Sequence, residues 1–207
     1  MKNVLDILKQ THALLTDGHF VLTSGLHSPI YINKDALYPH TDQASKVGKL
    51  FAEMFADKDI DVVAAPALGG IILSQWTAYH LSKLKKKEVL GVYTEKTPEK
   101  DQVFTRGYDK LVKGKNVLVI EDLTTTGGSV KKVVDSVRNA SGNVVAVGVM
   151  VNRDPEGVNE EKVGAPFFAL GELKAQAYNE KDCPMCRSGV PINTSVGHGK
   201  KYLESKK

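Results

Sequence analysis

The sequence predicts an α/β fold, a central parallel sheet with helices on both faces. Three observations carry this. The strand-like runs after residue 60 are apolar at consecutive positions rather than at every second one, which marks strands buried on both faces. They alternate with segments of helical periodicity, the pattern of βαβ crossovers. The 207 residues, 42% hydrophobic and 25% charged, suit one compact unit with an ordinary core.

Val4 to Leu15 has apolar residues at 4, 5, 7, 8, 14 and 15, which predicts an amphipathic helix stopped by Gly18. Phe20 to Asn33 mixes β-formers with turn residues (Ser24-Gly25, Ser28-Pro29) and predicts short antiparallel structure. Asp42 to Ala56 places Val47, Leu50, Phe51, Met54 and Phe55 on one helical face. Strands are expected at 61–65, 89–93, 116–120, 144–151 and 167–170, and helices at 70–84 and 128–140, with a short helix from Glu172. No repeat or low-complexity linker divides the chain. The expectation is a single domain, 1–207, with a hood from about 1–40 and 171–207.

The formal net charge of +4 argues against a dedicated nucleic-acid binder and suits small anionic substrates. The lysine clusters at 83–87 and 200–207 read as solvated surface. No apolar run is long enough to span a membrane, and the N-terminus, interrupted by Asp6 and Lys9, is unlike a signal peptide. A cytoplasmic location is the default expectation. Cys183 and Cys186, in CPMC, supply two metal ligands rather than four, and His198 is a poor partner to complete a site. Two reduced thiols in a turn are expected there, with zinc or redox chemistry as the alternative.

In parallel sheets ligands bind beyond the carboxyl ends of the strands, so the loops at 66–70, 94–107, 121–129 and 152–157 should share one rim. The most informative segment is VLVIEDLTTTGGS, Val117 to Ser129. A buried strand ends in two carboxylates, Glu121 and Asp122, followed by a threonine and glycine loop and a helix start. The loop offers free N–H groups and a helix dipole to an anion. The carboxylates beside it point to sugar hydroxyls or a hydrated divalent cation. Together they describe a site for a phosphorylated sugar. Gly69 and Gly70 form a second turn able to cradle phosphate. Glu95 to Gly107 is a long polar loop carrying Lys96, Lys100 and Arg106, read either as a lid over a diphosphate or as a solvated hairpin. Arg153 follows a buried strand and can clamp a carboxylate or pair with Asp154.

The Val117 to Ser129 segment resembles, without a gap, the phosphoribosyl-diphosphate (PRPP) motif of the type I phosphoribosyltransferases. FVLTSGLHSPIYIN (Phe20 to Asn33), Arg153 ahead of Gly157, and CPMCRSGVPI (Cys183 to Ile192) resemble the orotate phosphoribosyltransferase family within it, and the likeness runs from about residue 4 to 195. The resemblance implies the type I phosphoribosyltransferase fold and transfer of phosphoribose from PRPP to orotate, with Mg2+ carried mainly by PRPP rather than by protein ligands. It implies PRPP contacts from Gly69, Gly70, Lys96, Lys100, Glu121, Asp122, Leu123, Thr124, Thr125, Thr126, Gly127, Gly128 and Ser129. It further implies that Asp122, Glu121 and Lys96 serve catalysis and that Thr125 and Arg153 position orotate. The lid lysines are expected to act in a neighbouring subunit of a homodimer with shared active sites.

Three positions depart from the family pattern. Thr23 and Gly69 stand where many members have lysine, and the 95–107 loop has no histidine; the nearest one, His27, reads as a surface residue. Two rivals stay open: transfer to a purine or another base on the same fold, and a PRPP-sensing regulator, for which no nucleic-acid-binding module is recognisable.

Overall fold

A computed structural model describes residues 3–22, 24–174 and 176–206. In chain order the elements are α1 (Val4–Gln10), β1 (Leu14–Leu15), β2 (Phe20–Val21), β3 (His27–Ser28), β4 (Tyr31–Ile32), α2 (Thr41–Met54), β5 (Val62–Pro66) and α3 (Gly69–Lys85). Then come β6 (Leu90–Lys96), β7 (Gln102–Val103), α4 (Tyr108–Val112), β8 (Asn116–Thr124), α5 (Gly128–Asn139), β9 (Asn143–Asn152), α6 (Glu160–Val163), β10 (Phe167–Glu172), α7 (Pro184–Arg187) and α8 (Gly199–Glu204).

Six strands form the central sheet in the order β10-β9-β8-β5-β6-β7. All its pairings are parallel except β6 with β7. Alternate residues of β5 and β8 feed two separate cores. Val63, Ala65, Leu118 and Ile120 join Val47, Phe51, Leu73 and Leu81 from α2 and α3. Val62, Ala64, Val117 and Val119 join Val130, Val133, Val134 and Val137 from α5. This is the physical content of the continuous apolar runs: each strand must satisfy a helix layer on either side.

Several boundaries differ from the sequence expectation. The first helix stops at Gln10 instead of Leu15. Thr11 caps it, His12 turns with a φ of 53°, and Leu14 and Leu15 pair antiparallel with Ile32 and Tyr31. The apolar pair at 14–15 is therefore a strand, which helical spacing alone does not distinguish. Among the described residues no helix starts from Glu172: Glu172 is the last residue of β10, paired with Asn152, and the Leu173 N–H continues the ladder to the Asn152 carbonyl. The strand expected to end at Ile120 runs to Thr124, since Leu123 and Thr124 still pair with Val151 and Asn152. The carboxylates Glu121 and Asp122 thus lie inside a strand, not in a loop. The 95–107 segment contains the β6–β7 hairpin.

The two chain ends meet above the rim. The β2–β3 hairpin hydrogen-bonds to Tyr178 through His27, and the Asn193 and His198 N–H groups donate to the carbonyls of His19 and Val21. His27 is fully buried in this junction, contrary to the surface position expected of it. Thr23 lies outside the described residues.

Candidate active site

The carboxyl ends of β5, β8 and β9 bring three of the four rim loops together. A Cβ added at Gly69 would run into the Asp122 Oδ2 and sit 2.8 Å from Lys34 Nζ, so glycine lets this turn pass the carboxylate without displacing it. Arg153 donates its backbone N–H to the Thr124 carbonyl at 2.8 Å, tying the 152–157 loop to the threonine loop. The Ala67 N–H donates to the Thr94 carbonyl at 2.9 Å, which links the 66–70 turn to the end of β6.

At the threonine loop, Gly127 adopts a φ of 74°, a left-handed conformation that favours glycine. Its N–H donates to Thr124 Oγ1 at 3.0 Å, and the 12-residue helix α5 begins at Gly128. Thr125, Thr126, Gly128 and Ser129 surround a cavity of about 200 Å³ that also borders Glu121, Leu123, Thr124 and Gly127. Hydroxyls, N–H groups and a helix dipole converge on this space, which suits a phosphate.

The acidic pair has an unexpected retinue. Tyr38 donates its hydroxyl to Asp122 Oδ2 at 3.1 Å, and Lys34 Nζ lies 3.2 Å from the same oxygen. Asp122 Oδ1 accepts from the Leu123 N–H at 2.6 Å, and Glu121 Oε1 accepts from the Asp122 N–H at 3.0 Å. Burial, then the charge of Asp122, holds Glu121 well above the usual carboxylate range. Burial and then Asp122 raise the Tyr38 phenol as well. Burial acts to lower Lys34, but Asp122 and then Asp35 outweigh it, and its pKa is raised. With Glu121 shifted toward its neutral form by burial and Asp122 paired with an ammonium, the site presents less negative charge than two free carboxylates would. Lys34 brings its cation to the glycine turn where the sequence lacks the family's lysine. Neither Lys34 nor Tyr38 was singled out in the sequence; both lie more than 80 residues from Asp122, and the only sequence signal was the polar Asn33-Lys34-Asp35 run after an apolar strand.

A second cavity of about 350 Å³ adjoins the pair, lined by Leu22, Ser24, Tyr31, Ile32, Asn33, Lys34, Asp35, Leu123, Thr125 and Arg153. Arg153 Nε is buried with no hydrogen-bond partner, and burial lowers the pKa of the guanidinium. Among the described residues Asp154 makes no ion pair with it; the Asp154 carboxylate accepts instead from the Gly157 N–H at 3.0 Å. A desolvated, unpaired guanidinium facing a cavity is a receptor for a carboxylate.

Lys96 and Lys100 line neither cavity. Both are exposed on the β6–β7 hairpin, which is fastened to α5 of its own chain. Lys132 Nζ lies 3.0 Å from Asp101 and donates to the Lys100 carbonyl at 2.6 Å, and Ser136 Oγ donates to the Gln102 carbonyl. Arg106 pairs with Glu95 at 3.1 Å.

The model of the phosphoribosyl transferase domain family matches residues 33–165, which hold the whole strand–carboxylate–loop assembly. Orotate phosphoribosyltransferase of Thermoanaerobacter sp. (strain X514) is 36% identical over 191 residues, 92% of this chain and 94% of the relative. That of Thermus thermophilus is 36% identical over 190 residues, 92% and 98% of the two chains. Among solved structures, orotate phosphoribosyltransferase from Aeropyrum pernix superposes with a TM-score of 0.65 at 27% identity, covering 83% of this chain and 94% of that one. The Mycobacterium tuberculosis H37Rv enzyme in complex with PRPP gives 0.65 at 23% identity, covering 83% and 97%, which supports the fold. Fold, motif and relatives agree, and the chain belongs to the orotate phosphoribosyltransferase family.

Proposed function

We propose that the protein transfers the 5-phosphoribosyl group of PRPP to orotate, giving orotidine 5′-monophosphate and diphosphate in pyrimidine synthesis. The observation that carries the choice of base is Arg153, whose unpartnered buried Nε borders the cavity next to the acidic pair. Orotate brings a carboxylate that would accept from this guanidinium, and Thr125 on the same wall offers a hydroxyl to the ring. The loop from Leu123 to Ser129 would hold the 5′-phosphate, Asp122 and Glu121 the ribose hydroxyls, and Gly69, Gly70 and Lys34 the diphosphate side.

The reaction breaks the bond from ribose C1 to the diphosphate oxygen and forms one to the orotate ring nitrogen, whose proton passes to the solvent or the departing diphosphate, with an oxocarbenium-like centre between. No side chain needs to act as nucleophile. The chain's work is to hold the two reactants in line and to neutralise the departing diphosphate, which Lys34 can do from the glycine turn. Asp122 lies where it would fix the sugar, because Tyr38, Lys34 and the Leu123 N–H hold its carboxylate in place. The donors here are hard oxygens, and Asp122 already engages a cation. That fits Mg2+ held mainly by PRPP, with Glu121 and Asp122 reached through its waters; when bound it would add positive charge at the leaving group.

Lys96 and Lys100 would serve as a lid completing the site of a second subunit, so that the working unit is a homodimer with a cytoplasmic location. No helix among the described residues is long and apolar enough to cross a membrane. The test is product identity: with orotate, PRPP and Mg2+, orotidine 5′-monophosphate and diphosphate should form one to one. Diphosphate release without the nucleotide would mean PRPP hydrolysis and would reject the transfer.

A further inference from the structure

The junction of the two chain ends gathers four groups with metal-ligating chemistry. The ligand atoms of His19, His27, Cys183 and Cys186 all lie within 4.8 Å of one another, three of these residues being buried and Cys186 half-buried. They come from three separated stretches: the start of the β2 segment, β3, and the turn into α7. Both cysteines are free thiols. The sequence shows the CPMC pair alone; the two histidines that complete it lie more than 150 residues away.

His19 Nδ1 is 2.7 Å from the Val190 carbonyl, a contact that requires an N–H on Nδ1. Its Nε2 is therefore the bare nitrogen. That single lone pair has three neighbours: His27 Nδ1 at 2.8 Å and the sulfurs of Cys183 and Cys186 at 3.6 Å. Cys186 Sγ is also 3.3 Å from His27 Nδ1. One lone pair cannot accept from all three neighbours at once, whereas a cation at the centre of the cluster is a partner for all four groups together. Tetrahedral Zn2+, with bonds of about 2.0–2.1 Å to nitrogen and 2.3 Å to sulfur, requires ligand–ligand edges of about 3.3–3.8 Å. The three nitrogen–sulfur separations of 3.3–3.6 Å fall in that range; the 2.8 Å histidine pair must open by about half an ångström, and the group, which spreads to 4.8 Å, must draw in at its widest edge. The Val190 carbonyl is the outer partner that fixes the tautomer of a metal-ligating imidazole. The Cys186 N–H directed at Cys183 Sγ, 3.4 Å away, supports a thiolate in the same manner.

We propose that His19, His27, Cys183 and Cys186 form a structural Zn2+ site that pins the β2–β3 hairpin to the C-terminal segment. A closed, buried set of two sulfurs and two imidazoles favours Zn2+ over harder divalent ions and leaves no position open for catalysis. Leu22 and Ser24, from the turn of that hairpin, line the larger cavity, so the metal would hold one of its walls. The site stands independently of which base the enzyme uses.

The test is metal stoichiometry on the intact chain. Reduced protein is incubated with Zn2+, freed of excess, and analysed by mass spectrometry for zinc per chain. One equivalent is expected, falling to background in Cys183→Ser/Cys186→Ser. Should that variant fail to fold, Co2+ loaded into the wild-type protein supplies the second readout: visible bands of tetrahedral cobalt with thiolate charge transfer. Both thiols should resist modification in the zinc form and react after chelation. Less than a tenth of an equivalent of zinc would overturn the site, as would an octahedral cobalt spectrum. So would a Cys183–Cys186 disulfide that forms in air with Zn2+ present.

Discussion

Arg153→Met separates a functional arginine from a structural one. In the free protein the guanidinium is desolvated and its Nε is buried without a partner. A buried unsatisfied donor costs about 1–3 kcal/mol, and methionine keeps the apolar stem without the charge. The substitution should therefore raise the thermal midpoint of the ligand-free protein, by about 2–4 °C for each kcal/mol regained at this chain length. Orotate binding should suffer in the opposite direction. A charge-assisted hydrogen bond contributes about 1.5–3 kcal/mol, or roughly 10- to 150-fold in Kd. Titration calorimetry with orotate and with PRPP, beside thermal scans of both proteins, reads all three quantities. The expected result is a higher midpoint, a large loss for orotate and less than about a threefold change for PRPP. A lower midpoint with equal weakening of both ligands would show that Arg153 supports the loop rather than the base.

Four further outcomes follow from the site. Asp122→Asn should keep the fold and lower kcat by about 10- to 100-fold, the equivalent of one charged hydrogen bond; near-normal turnover would remove Asp122 from the sugar site. Gly69→Ala should weaken PRPP far more than orotate, because the new Cβ displaces the Asp122 carboxylate, and unchanged PRPP kinetics would contradict that contact. Glu121 is raised in the folded state, so its native form binds more protons than the unfolded chain, and stability is lost as pH climbs from about 4.5 through the folded value. Glu121→Gln should accordingly gain stability over wild type at neutral pH and lose that advantage below about pH 4.5, and a difference flat with pH would refute the assignment. Mixing Lys96→Ala chains with Asp122→Asn chains should restore part of the activity if the hairpin completes a neighbour's site; activity no greater than the sum of the two variants alone would confine it to its own chain.

The parallel core was legible because each of its strands carries its own record of burial. Val117 to Ile120 are apolar at every position, and a sheet covered on both faces is what that demands. The threonine loop was legible for a related reason: the hydroxyls and N–H groups proposed to hold a phosphate are neighbours in the chain. What stayed hidden depends on contacts across long separations. Lys34 and Tyr38 reach Asp122 only because β4 and the turn after it fold over the end of β8. His27 reads as a surface residue in the sequence and His19 carries no signal there; only the fold brings Cys183 and Cys186 to them. The error at Leu14 and Leu15 has a local origin, since an apolar pair at helical spacing reads as helix until its strand partner at Tyr31 and Ile32 is in view.

Everything proposed for the rim turns on one idea: it binds PRPP and selects a base by its carboxylate through Arg153. The most direct measurement compares orotate with uracil, the same ring without the carboxylate, as acceptors under saturating PRPP and Mg2+. Nucleotide should form from orotate with kcat/KM at least about 100-fold above that for uracil, and Arg153→Met should lose most of that preference. Comparable use of both acceptors, or a purine accepted in preference to either, would contradict it.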